Sequence, residues 1–443
     1  MSDAAASSSK IVAEVIDNGQ VSGQQILVVG LCMFLNMLDG FDITAMAVVA
    51  TAVSSDLELS PDRLGLIFSF ALAGMMAGAM ALAPVSDIIG RRKMIIISVF
   101  IVSLSIIFTA TATTLTEFII LRFISGLGAG AMLASQAALA AEYSPDKYRA
   151  LSVALVTSGY PLGAMMTSVM AGYILPDYGW RGMFWFGGGL TLVMGLVTWV
   201  MIPESLKYLL KRRPANALEH INRILTKLKK DTLLSLPEVT AETTPESKGM
   251  AGNMAGLLTD EHRAKTLTLW LTFFMCFSTL YFLMSWIPRM MEQAGFSPEV
   301  GRYAFFLFNF GGVIGIYTTG TLAIRFHLTK ILSIFLVTAA IGMVIFAAAP
   351  NQEGLLLALT FIIGVLQQGG FTGLYAVAAK VYPTNIRTTG IGFAIGLGRL
   401  GAVGGPAIAG FLIAAGLSMS GLYYVFAVPM IIGGLLSYRL NVK

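Results

Sequence analysis

Twelve apolar segments, at about residues 25–53, 64–84, 94–113, 116–140, 150–174, 182–202, 266–288, 302–323, 330–349, 354–379, 388–414 and 419–438, leave few folds open to this chain. Most reach roughly 20 residues, the length at which a helix crosses a ~30 Å hydrocarbon core. Inside a bilayer every backbone polar group must be satisfied within the segment, so runs of this length read as helices. Composition agrees. With 56% hydrophobic and 12% charged residues and a mean hydropathy of +0.77, the chain is too apolar for a soluble globule of its size. Its 47 glycines suit membrane helices that pack backbone to backbone. The expected fold is an all-α polytopic membrane protein with twelve transmembrane helices.

The cations set an orientation. Of the 29 Lys and Arg residues, only Arg63, Arg181, Arg289 and Arg302 lie in the loops of one side, and Arg122 and Arg399 lie within apolar segments. The rest fall in the termini and in the loops of the other side, among them Arg91, Arg92, Lys93, Lys147, Arg149, the group from Lys211 to Lys230, Lys330, Lys380 and Arg387. The positive-inside rule therefore places both termini in the cytoplasm. This sorting also explains the net charge of +5 without a nucleic-acid partner. The expected organisation is a tail over 1–24, a six-helix bundle over 25–202, a cytoplasmic loop over 203–265, a second bundle over 266–438 and a short tail over 439–443. Residues 1–24 lack the basic start and small-residue cleavage site of a signal peptide. The central loop opens with a basic amphipathic stretch and turns Pro/Ser/Thr-rich around 236–250, as a flexible linker does.

The two halves repeat. Pro145, Arg149, Gly163 and Gly172 recur as Pro383, Arg387, Gly401 and Gly410, each 238 residues on, and Gly126 recurs as Gly364. A duplicated six-helix unit follows, with a central cavity between the halves. Parallel six-helix repeats are the plan of major facilitator transporters.

Asp39 and Asp42 interrupt the first apolar run. A carboxylate at the centre of a membrane helix costs about 2.5–3.5 kcal/mol on insertion scales. Asp39 lies about 20 Å along the helix from Gln25, near the middle of the bilayer. Two acids at i,i+3 share a helix face and must look into protein or water. Close carboxylates in a poorly hydrated site repel, which favours one of them holding a proton. All three histidines (His220, His262, His327) lie in polar loops, so intramembrane proton handling falls to carboxylates.

Several motifs carry a resemblance. Ala83-Pro84-Val85-Ser86-Asp87-Ile88-Ile89-Gly90-Arg91-Arg92-Lys93 resembles the loop motif of the major facilitator superfamily, with Ala83 in place of the leading glycine. In that family the aspartate and basic residues form charge contacts that hold the cytoplasmic gate, which implies gating roles for Asp87, Gly90, Arg91 and Arg92. The second-half copy, Gly320 to Lys330, has Ile324 where the aspartate would stand. Arg122-x3-Gly126-x-Gly128-x-Gly130 resembles the family's fourth-helix motif, whose arginine is linked to proton coupling. Pro203-Glu204-Ser205-Leu206-Lys207-Tyr208-Leu209 resembles the motif that ends the first half in sugar and organic-ion porters. Asp39-Gly40-Phe41-Asp42, Tyr382-Pro383-Thr384-x2-Arg387-x2-Gly390 and Gly396-x-Gly398-Arg399-x-Gly401 together look like the aromatic acid:proton symporter branch. Its members bring benzoates, hydroxybenzoates and protocatechuate into bacteria, where they feed aromatic catabolism. The resemblance implies a bacterial inner-membrane location.

Candidate residues follow from these patterns. Arg399 stands about 18 Å along its helix from Arg387, near the midplane, where its planar fork suits a substrate carboxylate. Arg122 is either a second such group or a partner for Asp42. Glu142, at the inner end of its helix, could serve a gate or proton exit, or be a solvated helix-end charge; its repeat equivalent is Lys380. Arg149 and Arg387 mark equivalent gate positions. Tyr281, Trp286, Asn309, Gln367, Phe371 and Tyr375 suit a flat ring as a group, because an apolar pocket with a few placed polar atoms binds one well.

Other chemistry is not encoded. Gly396-Leu-Gly398-Arg-Leu-Gly401 spells a dinucleotide-binding pattern, but it lies in an apolar helix with no preceding strand. No Walker glycine loop, metal spacing or nucleophile elbow occurs, so no cofactor, metal or enzymatic activity is expected. The expected function is proton-coupled import of an aromatic carboxylate by a monomer. The alternatives are a symporter for another small organic anion or sugar-like solute, or a membrane sensor that does not transport.

Overall fold

A computed structural model describes residues 16, 21–236, 257–382 and 386–440. Most of the tail over 1–24, the linker around 236–250 save its first residue, Pro383, Thr384 and the side chain of Arg387 lie outside the described residues.

The first six membrane helices are α1 (Gly23–Asp56), α2 (Pro61–Ile89), α3 (Arg91–Thr109), α4 (Leu115–Glu142), α5 (146–178) and α6 (180–201). Helices α5 and α6 run on with only one break, at Gly179 (φ 60°, ψ −166°), a backbone setting that glycine reaches most easily. Two short helices follow, Leu206–Arg212 and Ala217–Lys227. The second half holds α7 (Asp260–Gln293), α8 (Pro298–Leu322), α9 (Leu328–Ala348), α10 (Glu353–Val381), α11 (Arg387–Ala414) and α12 (Met419–Arg439). Twelve membrane-length helices in two sets of six match the sequence pattern.

Local chemistry sets several ends. Ser22 and Gln25 form a reciprocal capping box at the start of α1, and Thr114 and Glu117 do the same for α4. Proline opens α2 and α8 after Ser60 and Ser297, where a missing N–H costs nothing. Near the far end of α2, Pro84 cannot donate, and the helix loosens through a π turn at Gly78–Leu82 and a 3₁₀ turn at Ala83–Val85.

Small residues decide which helices touch. A Cβ on Gly78 would stand 2.0 Å from the Leu127 carbonyl oxygen, and one on Gly130 would stand 2.0 Å from that of Met75, so α2 and α4 pack backbone to backbone. The second half repeats this device between α8 and α10, at Gly315 against Val365 and Gly364 against Phe308. Between the halves, α2 meets α11, the continuous α5–α6 run meets α8, and α1 meets α7.

The halves are sealed at the end away from the basic loops. A Cβ on Gly410 would lie 2.6 Å from the Pro61 carbonyl, and one on Gly65 would lie 2.8 Å from that of Pro406. Phe68 of α2 meets Trp286 of α7 edge to face at 5.5 Å, and the Trp286 indole N–H donates to the Pro406 carbonyl at 3.1 Å. Towards the basic end the interior is looser: Phe371 is 8% exposed, while Tyr375, one turn nearer that end, is 37% exposed.

Candidate functional site

The two aspartates of α1 do not share one environment. Asp42 is locked. Its Oδ1 accepts from Arg122 Nη1 at 2.6 Å, its Oδ2 from Ser125 Oγ at 2.7 Å, and its backbone carbonyl from Arg122 Nη2 at 2.9 Å. Both charged side chains of this pair are fully buried, and the guanidinium also lies over the Phe184 ring at 5.7 Å. Asp39 is also buried, but neither of its carboxylate oxygens has a hydrogen-bond partner. Three residues of helix turn separate the two side chains by about 60°. Asp42 therefore faces α4, while Asp39 lies within electrostatic reach of Arg399 on α11 as well as of Asp42 and Arg122. The two carboxylates still act on each other electrostatically, but their hydrogen-bond partners differ.

A buried ion pair holds structure together through what its loss leaves behind. Removing one partner strands the other charge, at a cost of about 3–5 kcal/mol, whereas replacing both with well-packed apolar groups is often neutral. Asp42→Ala is expected to lower the thermal stability of the purified protein sharply. The double variant Asp42→Leu/Arg122→Met should regain most of that loss. Thermal unfolding of the three proteins in detergent checks this.

Around Asp39 the walls come from both halves. A Cβ on Gly40 would stand 2.2 Å from the Tyr160 carbonyl, so α5 is pressed against α1 beside the aspartate. Across from them, α7 packs on α11 through Gly401 and Gly405, each of which would place a Cβ within 2.3 Å of an α7 carbonyl. Arg399 is 9% exposed and forms no ion pair or hydrogen bond among the described residues. Tyr160, Tyr281 and Tyr375 all lie within its electrostatic reach. Below them an aromatic wall runs between α7 and α10. Phe277 stacks on Tyr281 at 6.0 Å and meets Phe371 edge-on at 4.7 Å, and Tyr375 meets Phe273 at 5.4 Å and Phe371 at 5.6 Å.

The remaining candidates distribute unevenly. Tyr281, Phe371 and Tyr375 belong to this wall. Trp286 is occupied by the seal, with Arg289 over its ring at 6.0 Å. Asn309 is fully buried and donates to Phe305 within its own helix, leaving its carbonyl oxygen without a partner. Gln367 is fully buried with both amide atoms unpartnered. Arg122 is taken up by Asp42. Sequence reasoning passed over Tyr160. The repeat could have pointed to it, because Tyr160-Pro161 stands 238 residues before Gly398-Arg399.

At the basic end, three sequence motifs converge on one cluster. Arg91 pairs with Glu142 and sits 3.9 Å from Asp87. Ser205 donates to the other Glu142 oxygen at 2.5 Å. Arg92 donates through its side chain to the carbonyls of Ile202 and Trp199, and through its backbone N–H to Glu204 at 3.0 Å. Tyr143 reaches the Glu204 carbonyl at 2.7 Å. Glu142 is thus 7% exposed and engaged within its own half, rather than being a solvated helix-end charge. Arg149 pairs with Asp146 and donates to the Ala141 carbonyl. Gly90 holds φ 103°, and a Cβ there would meet the Glu204 carboxylate at 2.4 Å. Gly90→Ala is therefore expected to loosen the cluster, seen as faster trypsin cleavage of the 203–236 loop than in the unaltered protein.

Comparison with known proteins fits this architecture. The Major Facilitator Superfamily profile matches residues 31–316 and 269–442. The 4-hydroxybenzoate transporter PcaK of Pseudomonas putida is 31% identical over 96% of each chain. A gallate transporter of Pseudomonas putida is 30% identical over 94% of this chain and 92% of its own. Among solved structures, the inward-open xylose transporter XylE of E. coli superposes with a TM-score of 0.73 at 16% identity, over 94% of this chain and 96% of that one. The chain belongs to the Major Facilitator Superfamily, and within it to the branch of these aromatic-acid transporters.

Proposed function

We propose that this protein imports a benzoate-like carboxylate together with one proton, by alternating access across the bacterial inner membrane. One observation carries the reading. Asp39 and Arg399 lie buried within electrostatic reach of each other, at the meeting of the two halves, and neither closes an ion pair. An unbonded buried carboxylate is relieved by a proton, and an unbonded buried guanidinium by an anion. Arg399 binds the substrate carboxylate through its fork, the wall of Phe277, Phe371, Tyr281 and Tyr375 takes the ring, and Asp39 carries the proton. The names of the relatives, 4-hydroxybenzoate and gallate transporters, favour this substrate class over a sugar.

The basic loops face the cytoplasm in this reading, with both termini, and the sealed end faces outward. The cluster of Asp87, Arg91, Arg92, Glu142 and Glu204 then serves the inner gate. Tags at residue 1, residue 443 and within 236–250 should all report cytoplasmic. A periplasmic signal from any of them contradicts the orientation.

The pairing of Asp42 with Arg122 bears on stoichiometry. Two protons per monoanion would move net charge and add about 2.3 kcal/mol per 100 mV. With Asp42 held by Arg122, Asp39 is the one carboxylate left for a proton, and transport is electroneutral. Uptake of labelled 4-hydroxybenzoate into proteoliposomes should respond to an imposed pH gradient and not to a potassium diffusion potential. Uptake driven by the potential alone would overturn the one-proton assignment.

A further inference from the structure

Tyr160 has an unexplained hydroxyl. The residue sits on α5, in the first half, with its backbone against Gly40 and so beside Asp39. Its hydroxyl oxygen is buried, and its nearest polar contact is the Tyr281 hydroxyl across the interface, which does not close a well-aligned hydrogen bond. Around it stand Asp39 from α1 and Arg399 and Tyr281 from the second half, all within electrostatic reach. A buried phenol whose one polar contact is poorly aligned is costly, since the lost hydration is only partly returned by the protein. Such a group persists where a ligand completes it.

The neighbours narrow what that ligand is. Arg122, the other cation near Asp39, spends both of its Nη atoms on Asp42 and keeps no free pair of terminal donors. Arg399 is the unpaired cation within reach of the Tyr160 hydroxyl. A carboxylate offers about four lone-pair sites, and a bidentate guanidinium fills only two of them. The Tyr160 O–H is placed to donate to a third.

We propose that Tyr160 is a positioning residue for the substrate carboxylate, donating to it from the first half while Arg399 holds it from the second. The bound anion then ties the two halves together at the level of Asp39. Binding and closure become one event, because the ligand's own charged group spans the interface that must rock. This inference rests on the carboxylate site proposed above.

Tyr160→Phe is the test, since it removes one oxygen whose contact with Tyr281 closes no well-aligned hydrogen bond in the unliganded protein. Full-length protein would be titrated with 4-hydroxybenzoate and with its neutral analogue 4-hydroxybenzamide, alongside Arg399→Ala. The ligand-free melting temperature of Tyr160→Phe is expected to match the unaltered protein. Its affinity for 4-hydroxybenzoate should fall roughly tenfold to hundredfold, the worth of one hydrogen bond to a charged group. Binding of the amide, weaker from the outset, should fall by a smaller factor, because a neutral carbonyl accepts a weaker hydrogen bond than a carboxylate. Unchanged acid affinity in Tyr160→Phe, with binding lost in Arg399→Ala, would overturn the role of Tyr160 and leave the carboxylate site standing. Unchanged affinity in both variants, or no acid binding by the unaltered protein, would overturn the carboxylate site as well. A lower ligand-free melting temperature, or an equal loss for acid and amide, would mark Tyr160 as structural and also reject the inference.

Discussion

Asp39→Asn is expected to abolish uphill accumulation of 4-hydroxybenzoate while leaving exchange of preloaded substrate largely intact. The amide keeps the shape of the carboxyl group and removes the proton acceptor, so the carrier can still reorient with substrate aboard. What it loses is the link between that movement and the pH gradient. On the proposed mechanism the effect is close to complete, because Asp42 cannot substitute. It is bound by Arg122 and Ser125 of α4 at 2.6 and 2.7 Å. The two aspartates should accordingly differ in kind. Asp39→Asn should yield a stable, uncoupled exchanger, and loss of the Asp42 carboxylate should yield an unstable protein. Vesicle uptake with and without an imposed pH gradient, beside counterflow from preloaded vesicles, separates the two. Normal pH-driven accumulation by Asp39→Asn would remove Asp39 from the mechanism.

The second large effect belongs to Arg399. Truncating one side of a buried charged contact costs about 2–5 kcal/mol, which is roughly thirtyfold or more in affinity. Arg399→Ala should therefore lose detectable binding of benzoate-type acids. Arg399→Lys keeps the charge but replaces the planar fork with a point charge, and should fall between. Protein stability should not drop, because Arg399 has no ion-pair partner to strand among the described residues. That sets it apart from Arg122, which has one. The neutral amide of a transported acid should compete poorly against the unaltered protein and no worse against Arg399→Ala. An Arg399→Ala protein that expresses well and binds the acid with unchanged affinity would exclude the assignment.

The fold was legible because hydropathy in a bilayer is a strong constraint. Runs long enough to span must be helices, and the glycine and proline repeats at a 238-residue spacing fixed the two-half plan. The break at Gly179 lay in a short loop whose sequence left the continuous course of α5 and α6 open. The site was legible only in part. Spacing put Asp39 and Asp42 on one face of α1, but a face covers about 60° between them, enough to meet different neighbours. Which neighbour each meets depends on helix packing, set by contacts such as Gly40 against Tyr160. The pairing of Arg122 with Asp42 was among the expected alternatives, since a buried charge needs a partner. Glu142 was open between gate and solvent, and its partners Arg91 and Ser205 come from two distant motifs. Trp286 looked like a ring contact, but aromatic side chains in a membrane protein serve seals and packing as readily as ligands. Tyr160 was passed over for the same reason, being one aromatic among many, although the repeat sets it against Gly398.

The central proposal is that a proton travels with the acid by way of Asp39, and direct measurement of that proton tests it best. Proteoliposomes loaded with a pH-sensitive dye would receive labelled 4-hydroxybenzoate with no gradient imposed, and the substrate and proton fluxes would be read together. One proton should enter per molecule transported, with no dependence on membrane potential. The signal should exceed the leak of protonated acid into protein-free liposomes, and should fall to that leak in Asp39→Asn under the same net-entry conditions. Substrate entry without a matching proton, or an equal proton signal from Asp39→Asn, would contradict the mechanism.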